Sequence, residues 1–162
     1  AKFLDNTLAL IADADIFYMP AVLEILNREN VVITPHPKEF TSLLKITKIA
    51  DISVDELQKE RFKYAEMFCA KFPNIVLLLK GANVLIGKNS SFFINPHGSA
   101  ALAKGGSGDV LSGLVGSLLA QGYSALDAAI HGSLTHVKLA LNYEGNDFSL
   151  TPDDLINEIS KL

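Results

Sequence analysis

"AKGGSGDVLSGLV", residues Ala103 to Val115, sets three glycines and an aspartate into the five positions from Gly105 to Asp109 and then turns apolar. The apolar continuation reads as the start of a buried helix, so the glycines stand at its entrance. A helix N-terminus carries unsatisfied N–H groups and about half a positive charge. Glycines there let main-chain amides approach an anion with no Cβ in the way. Gly105, Gly106 and Gly108 therefore form a candidate phosphate cradle. A flexible turn with Asp109 as a good first-turn residue accounts for the same letters, and on these residues alone both readings stay open. The stretch is not a P-loop, because no Gly-Lys-Ser/Thr follows at the required spacing, and it is not a dinucleotide fingerprint. A carboxylate beside bound phosphate repels it. It makes sense facing a hydroxyl that loses its proton while attacking phosphorus.

Upstream, strands alternate with helices. Leu8 to Ala12, Val31 to Thr34 and Ile75 to Leu79 are short apolar runs that read as buried strands of the parallel type. Val84 to Ile86 and Phe92 to Ile94 flank Lys88-Asn89-Ser90-Ser91 and predict a hairpin. Pro20 to Leu26 and Glu39 to Leu44 predict short helices. Ser53-Val54-Asp55-Glu56 has the capping-box pattern and opens a helix running to Phe72, with Leu57, Tyr64, Phe68 and Phe72 on one face and Arg61 at its margin. After the hairpin the chain is helical: to Gln121, from Ser124 to Tyr143, and a last helix capped by Thr151 with Pro152 at its first position. Leu155, Ile156, Ile159 and Leu162 fit one face of that last helix. The alternation predicts an α/β layered fold in a single domain, or part of one.

The chain has 162 residues, 49% hydrophobic and 20% charged, which describes a core-rich folded protein. A net charge of -4, with no basic cluster interleaved with aromatics, speaks against a nucleic-acid partner. No apolar run reaches the roughly 20 residues needed to cross a membrane, so no membrane partner is expected. The single cysteine, Cys69, has no internal disulfide partner and reads as a buried thiol, which fits a reducing cytoplasm. His131 and His136 stand at i and i+5, too far round a helix for a shared ligand face, and read as structural; His97 joins no metal-ligand grouping.

A Gly-x-Gly-Asp stretch opening a helix resembles the ribokinase-like superfamily of small-molecule kinases. Further stretches narrow the resemblance to the ADP/ATP-dependent NAD(P)H-hydrate dehydratases. Ile33 to Phe40 (ITPHPKEF) looks like that family's "TPHPGEF", and Leu79 to Ile86 (LKGANVLI) like its "LKGAGTVI". Asn95 to Asp109 matches its "NPTGNPGMATGGMGD" at Asn95, Pro96, Gly98, Ala103, Gly105, Gly106, Gly108 and Asp109, and Ile11 to Asp15 is similar to its "DADAL" strand end. The chain departs from the pattern at Lys38, Asn83, Ser99 to Leu102 and Lys104, positions that bear on substrate and nucleotide preference rather than on the reaction.

The resemblance implies a ribokinase-like α/β fold with a mainly parallel sheet and helices on both faces. It implies dehydration of the 6-hydroxy hydrate of NADH or NADPH, with ADP or ATP as co-substrate and Mg²⁺ as cofactor. Asp109 would be the catalytic base and touch the hydrate together with His36. Lys80, Gly81, Ala82, Asn83, Val84, Gly105, Gly106 and Gly108 would bind the nucleotide. Glu39 would organise Mg²⁺ through water. Asp13 and Asp15 are secondary candidates for placing substrate or metal-bound water. Residues 1–162 would be the carboxyl-terminal part of one dehydratase domain, in a homo-oligomer and with an epimerase domain often fused upstream. Two rival readings stay open: a hydroxymethylpyrimidine or thiazole kinase, and a non-catalytic nucleotide-binding module.

Overall fold

The computed structural model describes residues 8–162. Five strands form one sheet in sequence order: β1 (Leu10–Ala12), β2 (Val31–Ile33), β3 (Ile75–Leu79), β4 (Val84–Lys88) and β5 (Ser91–Asn95). The first three run parallel, and β4 and β5 extend the sheet as an antiparallel hairpin. Seven α-helices accompany them among the described residues: α1 (Val22–Leu26), α2 (Pro37–Ile46), α3 (Val54–Lys59), α4 (Arg61–Lys71), α5 (Ser107–Ala120), α6 (Ala125–Asn142) and α7 (Pro152–Glu158).

Strand alternation divides the core. Val31, Ile33, Ile75, Leu77 and Leu79 point to one face and pack on Phe40, Leu43 and Leu44 of α2, Leu57 of α3 and Phe68 of α4. Val32, Val76 and Leu78 point to the other and pack on Leu111, Val115 and Leu119 of α5 and Ala125, Ala128 and Ala129 of α6. Both faces of β2 and β3 are therefore dry, which is why those strands read as unbroken apolar runs. Phe40 and Phe68 meet edge to face at 5.6 Å, and full burial of each contributes about 1.5–3 kcal/mol. A third cluster joins Val110, Leu139 and Ala140 to Leu150 and Leu155, seating α7 against α5 and α6.

The ends of the parallel strands line up. Thr34 N–H donates to the Ala12 carbonyl (3.1 Å) and Lys80 N–H to the Pro35 carbonyl (2.9 Å), so the three following loops lie side by side. In open α/β sheets the crevice beyond the strands' carboxyl ends is where ligands bind.

Three elements differ from expectation. The helix expected from Ser53 to Phe72 breaks at Glu60 (φ −131°, ψ 39°). Ser53 caps it as expected, accepting from Glu56 N–H (3.1 Å), but the Glu56 carboxylate is taken by the Tyr64 hydroxyl (2.8 Å), so the reciprocal half of the box is not made. The last α-helix ends at Glu158 and passes into a 3₁₀ turn (Ile159–Lys161); Leu155 is buried, while Ile156, Ile159 and Leu162 are exposed. Strand β1 stops at Ala12, and Asp13 caps a 3₁₀ turn (Ala14–Tyr18), so Asp13 and Asp15 do not share a strand face.

Candidate active site

Asp13, at the end of β1, is the hub of a charged cluster. Its Oδ1 accepts from Lys80 Nζ (2.9 Å) and from Ala14 N–H (2.9 Å), and its Oδ2 from the Ser112 hydroxyl of α5 (2.8 Å). Burial pushes the Asp13 carboxyl upward, but the Lys80 ammonium, Ser112 and the Ala14 amide together more than offset it, so its pKa lies below the ordinary value. Lys80 also faces Glu39 at 3.9 Å. Asp15 is exposed and outside this cluster.

Glu39 and His36 are locked together at the start of α2. His36 Nδ1 accepts from the N–H groups of Lys38 (3.1 Å) and Glu39 (3.2 Å), and Glu39 Oε2 accepts from His36 N–H (2.7 Å). This is a capping box with a histidine in the cap position, and Pro37 at N1 sets its φ. With Nδ1 accepting, the ring proton sits on Nε2, which faces Glu39 Oε1 at 3.2 Å. The ring's orientation is thus fixed by the helix it caps.

The glycine-rich turn stands opposite. Gly106 is the N-cap of α5 with φ +84°, and a Cβ on it would lie 2.6 Å from Pro152 Cγ. Only glycine satisfies both conditions. Lys104 Nζ ties this turn to the segment before α7, donating to the carbonyls of Phe148 (2.6 Å) and Leu150 (2.9 Å). Gly108 lies beside the charged cluster: a Cβ there would be 3.4 Å from Lys80 Nζ. Asp109, third residue of α5, is exposed.

Between the two turns lies a cavity of about 460 Å³. Its walls include Lys80, Gly81, Ala82, Val84 and Gly108 from the expected nucleotide set, with Leu102, Leu111 and Val137. One charged side chain among mostly apolar walls suits a ligand with a flat apolar part and an anionic part. Asn83, Gly105, Gly106, His36, Glu39 and Asp109 do not line it. Among the described residues no group of three or more His, Cys, Asp or Glu is placed to hold a metal ion. With both Glu39 oxygens engaged by His36, a fully protein-held ion does not fit; an ion carried on nucleotide phosphates and reached through water does.

Sequence reasoning missed three contributors. His136 of α6 lines the cavity and hydrogen-bonds Ser107 through Nε2 (3.1 Å). Burial lowers its pKa to about 4, so the ring there is neutral. The signal was its place at i+3 from Ser133, which also lines the cavity. Ser112 lies one turn beyond Gly108, and that spacing was readable too. Arg61, placed at a helix margin, instead reaches the carbonyls of residues 79, 80 and 83. Cys69 is buried as expected, with its thiol pushed up to about 12 by burial, which makes it inert.

The family model described as NAD(P)H-hydrate dehydratase matches residues 1–161. A bifunctional NAD(P)H-hydrate repair enzyme of Helicobacter pylori is 51% identical over 152 residues, 94% of this chain but 32% of its own length. The ADP/ATP-dependent NAD(P)H-hydrate dehydratase of Bacillus subtilis, co-crystallised with ATP/Mg²⁺, superposes with a TM-score of 0.69 at 30% identity, covering 81% of this chain and 47% of that one. A ribokinase-like protein of Enterococcus faecalis shares the fold alone, with a TM-score of 0.75 at 21% identity over 98% of this chain and 53% of that one. The chain thus spans about a third of the length of its bifunctional relative and about half of the solved structures. No helix among the described residues is long and apolar enough to cross a membrane. With its model matched almost end to end and its glycine-rich and Lys80 turns facing one cavity, the chain belongs to the NAD(P)H-hydrate dehydratase family.

Proposed function

We propose that the protein containing this chain restores the 6-hydroxy hydrate of NADH or NADPH to NAD(P)H at the expense of an adenine nucleotide. One observation carries the reading: the Lys80–Val84 turn and Gly108 of the glycine-rich turn line a single cavity at the sheet's carboxyl end. Its apolar walls suit a purine, and Lys80 with the amides at the start of α5 suits its phosphates.

Hydroxide is a poor leaving group, so the hydroxyl is first converted to phosphate. Asp109 takes the proton from the hydroxyl as its oxygen attacks the terminal phosphorus; the new P–O bond forms as the bond to the nucleotide's bridging oxygen breaks. The amides of the glycine-rich turn hold the phosphoryl oxygens as charge shifts among them. The lone pair of the ring nitrogen then expels phosphate, and loss of a proton from the neighbouring carbon restores the ring double bond. Glu39 would hold a Mg²⁺ ion through water, and the ion would supply charge neutralisation for the phosphates. His36, held by its own cap, offers a fixed edge to the nicotinamide portion. A cytoplasmic homo-oligomer with a fused epimerase fits this role, since an epimerase supplies whichever hydrate epimer the site rejects.

The test is incubation of the full-length protein with NADH hydrate, ADP or ATP, and Mg²⁺. Recovery of absorbance at the NADH band, with one phosphate released per NADH, is the expected result. Nucleotide consumption with a stable phosphorylated product would make it a kinase. Nucleotide binding with no turnover would make it a binding module.

A further inference from the structure

The turn from Lys80 to Asn83 is held from behind by one side chain. Arg61, the first residue of α4, donates from Nη1 to the Asn83 carbonyl (3.1 Å) and from Nη2 to the carbonyls of Leu79 (3.2 Å) and Lys80 (3.0 Å). Among the described residues no carboxylate lies in ion-pair range of it, and its Nε is buried without a partner. A half-buried cation set against peptide oxygens alone is a costly way to secure stability. Gly81 makes room for it: at φ +153°, a Cβ on Gly81 would lie 2.8 Å from Nη1.

The arrangement has a consequence on the other side of the turn. A trans peptide sets C=O and N–H in opposite directions. Holding the Lys80 carbonyl on Arg61 therefore turns the Gly81 N–H away from Arg61, and Gly81 lines the cavity. A cation on the carbonyl also polarises that peptide and makes its N–H a stronger donor.

We infer that Arg61 is a positioning residue for the adenine nucleotide: it shapes the Lys80–Val84 turn and sets an uncancelled positive charge behind it. This rests on the reading of the cavity as the nucleotide site. A lysine cannot replace it fully, because one ammonium does not reproduce a planar fork reaching three carbonyls.

The experiment uses full-length wild type, Arg61→Ala, Arg61→Lys and the cavity-filling Ala82→Trp. Each is titrated with ADP by calorimetry and then assayed for KM of ADP and of the hydrate. Arg61→Ala is expected to raise Kd and KM for ADP about tenfold or more while KM for the hydrate stays within about twofold, and Arg61→Lys to recover part of the loss. Ala82→Trp is expected to abolish ADP binding. If Ala82→Trp binds ADP like wild type, the nucleotide lies elsewhere, and the site reading and this inference fall together. If Ala82→Trp loses ADP but Arg61→Ala keeps it, only the inference falls. A rise in KM for the hydrate in step with ADP makes Arg61 a general prop and also overturns it. Should Arg61→Ala fail to fold, the same KM split in Arg61→Lys decides.

Discussion

The two turns that face each other across the cavity are built by opposite means. The Lys80–Asn83 turn is fixed by charge: Lys80 by Asp13 and Glu39, the carbonyls by Arg61. The Gly105–Asp109 turn is fixed by backbone shape and neutral contacts: a left-handed Gly106 against Pro152, and Ser107 on a neutral His136. The cation that braces it, Lys104, is spent on carbonyls. The difference separates two tasks. Side chains committed to fixed partners hold a shape, whereas open amides and one exposed carboxylate can act on a ligand whose charge changes during reaction.

The largest effect expected from this division is on turnover. Asp109→Asn removes the base and keeps the side-chain shape, so kcat should fall by about 10²–10⁴-fold. ADP binding, read by calorimetry, should stay as in wild type, because Asp109 does not line the cavity. Turnover at the wild-type rate would take the base role from Asp109. Loss of ADP affinity alone would make the carboxylate a part of the nucleotide site and erase the distinction between the turns.

The next effect separates the turns by pH. His136 titrates near 4 in the folded protein against an ordinary 6.5, chiefly because it is buried. Between those values the unfolded chain binds a proton that the folded chain refuses, so stability falls as pH drops from 6.5 toward 4 and is unaffected above 6.5. For this nearly inaccessible ring the full loss is about 3 kcal/mol. His136→Gln keeps a partner for Ser107 and removes the titration. Its unfolding free energy, measured in urea, should be flatter than wild type's across that window. A parallel pair of curves would mean that the ring is hydrated and that the glycine-rich turn is not held by a dry contact.

How much of this was legible beforehand follows the same division. Strands β2 and β3 announced themselves because both faces are buried, leaving no polar letters to interrupt the run. The glycine-rich turn was legible because a left-handed N-cap pressed on a proline admits one residue type, and the sequence has to say so. Arg61 was not, because its meaning depends on a helix break at Glu60 that the capping pattern of Ser53 to Glu56 argued against. His136 was weighed against His131 for metal spacing, when its relevant partner was Ser107, 29 positions away. The cap on α2 was hidden because histidine is not among the usual capping residues. Local rules name residues whose backbone is constrained; they do not name side chains whose partners come from another element.

A smaller effect tests the glycines themselves. Gly106→Ala places a Cβ against Pro152 Cγ and forces φ +84° on an alanine. The double variant Gly106→Ala/Pro152→Ala relieves the contact but not the backbone, and should remain about 1–2 kcal/mol less stable than Pro152→Ala alone. Gly81→Ala also strains the backbone, at φ +153°, but its Cβ meets the mobile end of Arg61, which can swing away. It should therefore lower the melting temperature through the backbone and, unlike Gly106→Ala, also reproduce the ADP defect of Arg61→Ala. Equal stability losses with no ADP defect in Gly81→Ala would show that the two turns are braced alike.

The smallest effect lies at the acid end and belongs to the charged turn. Burial and the polar partners of Asp13 pull its pKa in opposite directions, and the net result is a value below the ordinary 3.8. A depressed carboxylate contributes stability that is complete above its unfolded pKa and is lost as pH falls through the folded one. So far as Asp13 itself is concerned, the gap in unfolding free energy between wild type and Asp13→Asn should therefore be constant above pH 3.8 and close below it. His136 has already lost its contribution by then, but its titration is common to both proteins and cancels in the difference, apart from one coupling. Lys80 helps to keep His136 neutral, and Asp13→Asn leaves that ammonium less compensated, so His136 should be harder still to protonate in the variant. The gap should accordingly change slightly between pH 6.5 and 4, with the variant the more sensitive to acid. A gap that ignores pH throughout would mean that the ion pair joining β1 to the Lys80 turn adds nothing, and that this turn, like its neighbour, is held by backbone alone.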